Sequence, residues 1–65
     1  MLGKVKRFNP VKGYGFITGD DKKDYFFHYS ELQMDGYKNV KEATEVRFEA
    51  ETGDRGLVAK KIEIA

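Results

Sequence analysis

Two clusters of aromatic residues are the features of this 65-residue chain best suited to act on a ligand. The segment Lys12–Ile17 reads Lys-Gly-Tyr-Gly-Phe-Ile, and Tyr25–Tyr29 reads Tyr-Phe-Phe-His-Tyr. Exposed aromatic rings stack on flat groups such as nucleobases, for about 1–3 kcal/mol per base, and neighbouring cations attract phosphate. The clusters therefore favour recognition of a ligand by stacking and charge.

Residues for catalysis or metal binding are scarce. The chain has no Cys and a single His, which excludes disulfides, thiolate chemistry and the usual zinc sites. Ser30 lies two residues from His28, on the same predicted strand face, but no third group of a nucleophilic triad is evident. The acidic segment Asp20–Asp24 lacks the spacing of a calcium loop. We predict no enzyme, no catalytic residue, no metal and no cofactor.

Short strands separated by turns must position these side chains. Seven Gly and one Pro interrupt the sequence, and no segment has the spacing of a long amphipathic helix. Single 3₁₀ turns are expected near residues 30–33 and 39–44, and a β-bulge or a bend is expected at Lys60-Lys61. We predict an all-β fold, a five-stranded antiparallel β-barrel, because closure removes the unpaired edges of so small a sheet. The predicted strands are Lys4–Phe8, Tyr14–Thr18, Tyr25–Tyr29, Glu45–Glu51 and Leu57–Ile64.

Alternation along the strands indicates which rings point outward. The chain has five Phe and four Tyr, more than a small barrel can bury together with Val5, Ile17, Leu32, Val46, Val58 and Ile62. If Tyr25 and Phe27 point inward, Phe26 and His28 point outward. If Ile17 points inward, Phe16 and Tyr14 are exposed, with Gly15 keeping the surface between them flat, and Phe8 is expected to be partly buried. Pairing of the two strands would produce an exposed aromatic patch, which usually marks a binding site.

The charges are unevenly distributed, although the net charge is only +1. Residues 1–19 contain Lys4, Lys6, Arg7 and Lys12 and no acidic residue, whereas residues 25–54 carry a net charge of −4. A polyanion would bind the basic ends rather than the acidic middle. No signal peptide and no membrane-spanning segment is predicted, and we expect one cytoplasmic domain over residues 1–65 with no membrane partner.

Lys12–Ile17 also matches the first six positions of the first ribonucleoprotein motif, with Ile in place of Val. The RNA-recognition-motif fold carries this motif, but it needs helices between its strands and has its companion aromatic motif upstream. Here the companion Tyr25–Tyr29 lies downstream after a tight loop. This order and the chain length resemble the bacterial cold-shock protein family, an oligonucleotide/oligosaccharide-binding barrel, and the resemblance extends from Gly3-Lys4-Val5-Lys6 to Gly53-Asp54-Arg55-Gly56.

The resemblance implies an interface for single-stranded RNA and DNA, an ATP-independent RNA chaperone role and a weak preference for pyrimidines. No small-molecule substrate is implied, and we expect a monomer. The resemblance implies that bases would stack on Phe16, Phe26, His28 and Tyr37. It also implies that phosphates would lie near Lys6, Lys12 and Arg55. The implied nucleic-acid-binding residues are Lys6, Arg7, Phe8, Asn9, Lys12, Tyr14, Phe16, Asp24, Phe26, His28, Tyr29, Tyr37 and Arg55.

Two positions depart from the family pattern. Arg7 replaces the Trp that typically precedes Phe8-Asn9, so stacking is expected to weaken and the salt-dependent contribution to grow. Leu57 stands where the family often has Pro after Arg55-Gly56, which changes the expected loop. The alternative function is a protein-interaction barrel that binds a Pro-rich peptide on its aromatic groove, although such grooves usually have acidic neighbours and this one has basic neighbours.

Overall fold

The computed structural model describes residues 1–32, 41–54 and 56–65. Within these ranges the chain forms strands and a single 3₁₀ turn, Tyr29–Glu31, and no helix long and apolar enough to cross a membrane. Two predictions concern residues that lie partly or wholly outside the described ranges. They are the 3₁₀ turn at 39–44 and the loop around Arg55. The strands are β1 (Leu2–Asn9), β2 (Tyr14–Gly19), β3 (Asp24–His28), β4 (Glu45–Gly53) and β5 (Gly56–Ile64).

The strands close into a barrel in the order β1-β2-β3-β5-β4, which confirms the predicted fold class. One pairing departs from the predicted antiparallel arrangement, at the seam between β3 and β5. These strands pair in parallel through Phe26 and Val58, and Leu32 and Ile62 form a further parallel bridge. The 3₁₀ turn and the segment after it lie between β3 and β4 in the chain, and β4 does not pair with β3. The barrel is closed instead by β5, which pairs with β3 in parallel.

The core consists of the residues that alternation directs inward. Tyr25 and Phe27 are buried, as predicted, and the ring of Tyr25 packs against Phe48 with centroids 5.1 Å apart. Phe8 is half-buried and stacks on Phe27, with ring centroids 5.6 Å apart and planes 8° from parallel. Among the described residues, the buried hydrophobic side chains are Val5, Ile17, Tyr25, Phe27, Val46, Phe48, Ala59 and Ile62.

Val58, which the sequence placed among the candidates for the interior, lies instead half-buried on the outer face beside Phe26. The neighbouring residues Leu57 and Ala59 turn inward, so alternation directs Val58 outward. The predicted bulge at Lys60-Lys61 is confirmed: Lys61 has φ 50°, and the β4–β5 register shifts between Arg47 and Glu49.

Candidate nucleic-acid interface

Three aromatic side chains meet on the outer face of β2 and β3. Phe26 is at the centre, with its ring centroid 5.7 Å from Phe16 and 5.6 Å from Tyr14. The planes of Phe16 and Phe26 are inclined by 71°, an edge-to-face arrangement. Phe26 is 38% exposed, and Tyr14 and Phe16 are half-buried. We call these three residues the aromatic face.

The antiparallel register of β2 and β3 produces this arrangement. Phe16 lies opposite Phe26, and Tyr14 lies opposite His28, so their side chains share one surface of the sheet. Gly15 pairs with Phe27 on the inner surface. The prediction that Gly15 flattens the outer surface is therefore wrong: a Cβ at Gly15 would point inward and lie 2.9 Å from Cζ of Phe27.

His28 extends the aromatic face toward the end of β3. Its Nδ1 accepts a hydrogen bond from the backbone N–H of Ser30 at 3.3 Å and lies 3.0 Å from Ser30 Oγ. Ser30 belongs to the 3₁₀ turn and not to β3, so the predicted shared strand face of His28 and Ser30 is wrong. Because Nδ1 accepts from the Ser30 amide, Nε2 is the nitrogen that carries the proton of the neutral ring and can donate to a ligand.

Tyr29 lies beside His28, with ring centroids 4.5 Å apart, and is 40% exposed. The absence of a side chain at Gly13 makes this position possible, since a Cβ there would lie 2.6 Å from Cδ1 of Tyr29, and Gly13 has φ 77°. A cavity of about 240 Å³ opens between Tyr29 and the loop that joins β1 to β2. Its lining residues are Phe8, Pro10, Val11, Lys12, Gly13 and Tyr29.

A β-bulge in β1 brings two cations to the edge of the aromatic face. The β1–β2 register shifts between Val5 and Arg7, so Lys6 has no partner in β2 and Arg7 lies opposite Phe16. Lys6 and Arg7 are both exposed, although strict alternation would place them on opposite surfaces. Nothing in the local sequence indicates this bulge.

Lys6 is tied to β3 by an ion pair. Its Nζ lies 2.8 Å from Oδ2 of Asp24, whose Oδ1 accepts a hydrogen bond from Oγ1 of Thr18 at 3.1 Å. These contacts, with Lys6 the larger contributor, hold the pKa of Asp24 below its ordinary value of 3.8. Asp24 therefore remains an anion at neutral pH and partly compensates the charge of Lys6.

Asn9 organises the loop between β1 and β2. Its Oδ1 accepts hydrogen bonds from the backbone N–H groups of Val11, at 3.0 Å, and Lys12, at 3.1 Å. This leaves the side chain of Lys12 exposed beside the cavity at Tyr29. Of the remaining predicted site residues, Tyr37 and Arg55 lie outside the described residues.

The structure adds residues that the sequence predictions did not place at the interface. Val58 continues the row Arg7–Phe16–Phe26 across the parallel seam, and Glu51 of β4 continues it further, opposite Val58. The alternation of β5 could have indicated an outward Val58. The position of Val58 beside Phe26 depends on the non-local β3–β5 pairing, which no sequence pattern indicates.

A second, larger cavity of about 460 Å³ lies elsewhere, between the beginnings of β1 and β4 and the end of β2. Leu2 and Val46 contribute to its lining, which contains no aromatic ring, and its charged residues are Lys4, Asp20, Lys22 and Glu45. This balanced charge and the absence of stacking surfaces make it a poorer candidate than the aromatic face. Within the described residues, no cluster of His, Cys, Asp or Glu could hold a metal ion.

Comparison with known proteins agrees with this geometry. The family model described as "'Cold-shock' DNA-binding domain" matches residues 1–65. Cold shock protein 1 of Lactiplantibacillus plantarum is 50% identical over 60 residues, which are 92% of this chain and 91% of that protein. A cold shock-like protein of Thermotoga maritima is 45% identical over 64 residues, 98% and 97% of the two chains. The cold shock-like protein CspE of Bacillus anthracis is 47% identical over 62 residues, 95% and 92% of the two chains.

A solved structure described as "drosophila Unr CSD456" superposes with a TM-score of 0.81 at 22% sequence identity. The match covers 98% of this chain and 26% of that longer chain, and at this identity it shows the fold alone. The family match and the bacterial relatives show more, because they extend over nearly the whole chain at 45–50% identity. The chain belongs to the cold-shock domain family and is a nucleic-acid-binding protein.

Proposed function

We propose that the protein binds single-stranded RNA and DNA by stacking successive bases on the aromatic face while the cations of β1 and the adjoining loop attract the phosphates. The observation that carries the proposal is the contiguity of Tyr14, Phe16 and Phe26 beside Arg7. Phe16 and Phe26 pack edge to face, Tyr14 is tilted against Phe26, and together the three rings offer partly exposed surfaces on two neighbouring strands. A duplex cannot use them, because its bases are stacked on one another.

The protein then acts as an RNA chaperone without ATP. A ligand that binds only the unpaired strand shifts the equilibrium between paired and unpaired states by mass action. Stacking is tolerant of sequence, so we propose a weak preference that leans toward pyrimidines, as the family resemblance suggests. We further propose that the protein is a cytoplasmic monomer that carries out no enzymatic reaction, with Asn9, Asp24 and Tyr29 among the binding residues and Tyr37 and Arg55 completing the interface.

The direct test is a titration of fluorescently labelled oligo-dT, oligo-dA and a duplex, followed by anisotropy at low and high salt. The label belongs on the ligand because the chain has no Trp. We expect binding of the single strands only, tightest for oligo-dT and weaker at high salt. Absence of binding at micromolar protein would overturn the proposal, and salt-insensitive binding of a Pro-rich peptide would establish the alternative.

Phe26→Ala tests the stacking role of the aromatic face. The ring is exposed at the centre of the face, so its removal should weaken binding of oligo-dT by about 1–3 kcal/mol with little loss of fold stability. Leu2→Ala is the matched control, because Leu2 is 50% exposed at the far end of β1, opposite Arg47. Equal Kd values for the two variants, measured by anisotropy, would remove Phe26 from the interface. Unfolding of Phe26→Ala, seen by circular dichroism, would show that the ring supports the core.

A further inference from the structure

The aromatic face is bordered by opposite charges on its two sides. One row of outward residues runs around the barrel from Arg7 through Phe16, Phe26 and Val58 to Glu51, each opposite the next in the strand register. Arg7 is the cationic end of this row, and Glu51 is its anionic end. Both end residues are exposed. The row would therefore attract a polyanion at its Arg7 end and repel it at its Glu51 end.

Glu51 differs from the nearby carboxylates in having no ion-pair partner within the part of the chain that the structure describes. Among the described residues, Glu49 pairs with Lys61 at 3.9 Å and Glu31 pairs with Lys60 at 3.7 Å, whereas Glu51 has no ion-pair partner. Glu51 lies two strands from Phe26, which places the Cα atoms about 10 Å apart at the usual spacing of neighbouring strands. That distance is close to the Debye length at moderate ionic strength, so its charge is felt at the aromatic face.

We infer that Glu51 repels phosphate from the β4 end of this row, so that the backbone of a bound strand crosses the row nearer to Arg7 than to Glu51. The inference rests on the proposed binding of single strands. Val58 offers an apolar surface next to Phe26, against which a base can pack. A phosphate that followed the base toward β4 would approach Glu51, whereas on the β1 side it approaches Arg7. Glu51 thereby disfavours one path of the ligand across this row.

The experiment compares Glu51→Gln with Glu63→Gln, both titrated with labelled oligo-dT at low and high salt. Both substitutions remove one exposed negative charge, but Glu63 lies five residues from Val58 along β5, about 16 Å away, opposite Arg47. We expect Glu51→Gln to tighten binding about twofold at low salt, the effect of one unit charge across about 10 Å of water, and Glu51→Lys about fourfold. The gain should disappear at high salt, and Glu63→Gln should bind like the wild type.

A second ligand separates repulsion of phosphate from a change in stacking. A methylphosphonate oligo-dT has an uncharged backbone, so Glu51→Gln should not alter its Kd. Equal gains for Glu51→Gln and Glu63→Gln would overturn the inference, because the effect would then come from net charge alone. A gain that persists with the uncharged backbone would also overturn it. Failure of the wild-type protein to bind oligo-dT would instead overturn the proposed function together with this inference.

Discussion

Two neighbouring basic residues of β1 have different surroundings at the interface. The ammonium group of Lys6 lies 2.8 Å from a carboxylate oxygen of Asp24, so it must leave that partner or share it in order to contact a phosphate. Arg7 is exposed and has no ion-pair partner among the described residues. Its guanidinium is planar, so it can stack on a base as well as bind phosphate, which suits a position opposite Phe16. Arg7 is therefore the cation of this border most available to a ligand.

We expect Arg7→Ala to weaken binding of oligo-dT and to reduce its dependence on salt. Removing the cation that neutralises one phosphate of a single strand makes the slope of log K against log salt shallower by about 0.7. The measurement is a titration at several salt concentrations. Arg47→Ala is the control, since Arg47 is also exposed but lies opposite Leu2 and Glu63, away from the aromatic face. An unchanged slope in Arg7→Ala, with weaker binding, would show that Arg7 acts by stacking alone.

The pairing of strands determines how these residues meet. The hairpin of β2 and β3 sets the aromatic face, and the bulge in β1 turns both Lys6 and Arg7 outward. Backbone hydrogen bonds secure β1 on its other side, since Val5 N–H donates to the carbonyl of Thr44 at 3.0 Å and Ala43 N–H donates to the carbonyl of Val5 at 2.7 Å. Glu31 likewise stabilises β5, because its carboxylate accepts a hydrogen bond from the backbone N–H of Lys61, at the bulge, over 3.3 Å. The site thus depends on contacts between elements distant in sequence.

Gly15→Ala should destabilise the barrel where Gly15 lies against the backbone of β1. A Cβ at Gly15 would lie 2.3 Å from the carbonyl oxygen of Arg7 and 2.9 Å from Cα of Phe8, and these backbone atoms cannot move without distorting β1. We expect a loss of about 1–3 kcal/mol in the free energy of unfolding, measured by urea denaturation. Gly53→Ala is the control, because its Cβ would make ordinary van der Waals contacts, the nearest of them 3.6 Å from Cγ1 of Val58. Equal stability of the two variants would contradict the close approach.

The sequence predicted the local features of this arrangement well. Alternation in Tyr25–Tyr29 assigned Tyr25 and Phe27 to the core and Phe26 and His28 to the surface, because a two-residue period is a property of any strand. It failed where an element ends or pairs at long range. Tyr29 leaves β3 for the 3₁₀ turn, and the parallel seam beside Val58 follows from closure of the barrel. Such pairings are chosen by the packing of the whole core and leave no local pattern.

The molecule as a whole separates its binding surface from its stabilising core. The outer face of β2 and β3 exposes rings, while the inner face of the same strands buries Ile17, Tyr25 and Phe27. A chain of 65 residues buries a limited apolar area, so single polar contacts at the ends of the barrel matter for its stability. The contact between Asp21 and Tyr25 is one of these, because it fixes the loop that joins β2 to β3 to a buried ring of the core.

The stability of the protein should therefore depend on pH through Asp21 and Tyr25. The hydroxyl of Tyr25 donates to Oδ2 of Asp21 at 2.6 Å, and the other carboxylate oxygen accepts from the backbone N–H of Lys23 at 3.1 Å. The hydrogen bond from Tyr25 is the main reason that the pKa of Asp21 lies below 3.8, and the same bond is the main reason that the pKa of Tyr25 lies above 10.0. The folded state thus favours an ionised Asp21 and a neutral Tyr25.

The sign of each effect follows from linkage. The contribution of Asp21 is complete above its unfolded pKa, near 3.8, and is lost as the pH falls through the lower folded value. The contribution of Tyr25 is complete below its unfolded pKa, near 10.0, and is lost as the pH rises through the higher folded value.

We expect Asp21→Asn to lower the Tm at neutral pH relative to Asp20→Asn, which removes an equal charge from the adjacent residue. Thermal unfolding followed by circular dichroism should show this difference shrinking as the pH falls below 3.8 and through the lower pKa of the folded state, because the wild-type carboxylate then becomes protonated. A difference that is constant from neutral to acid pH would mean that Asp21 acts through its shape in the loop and not through its charge.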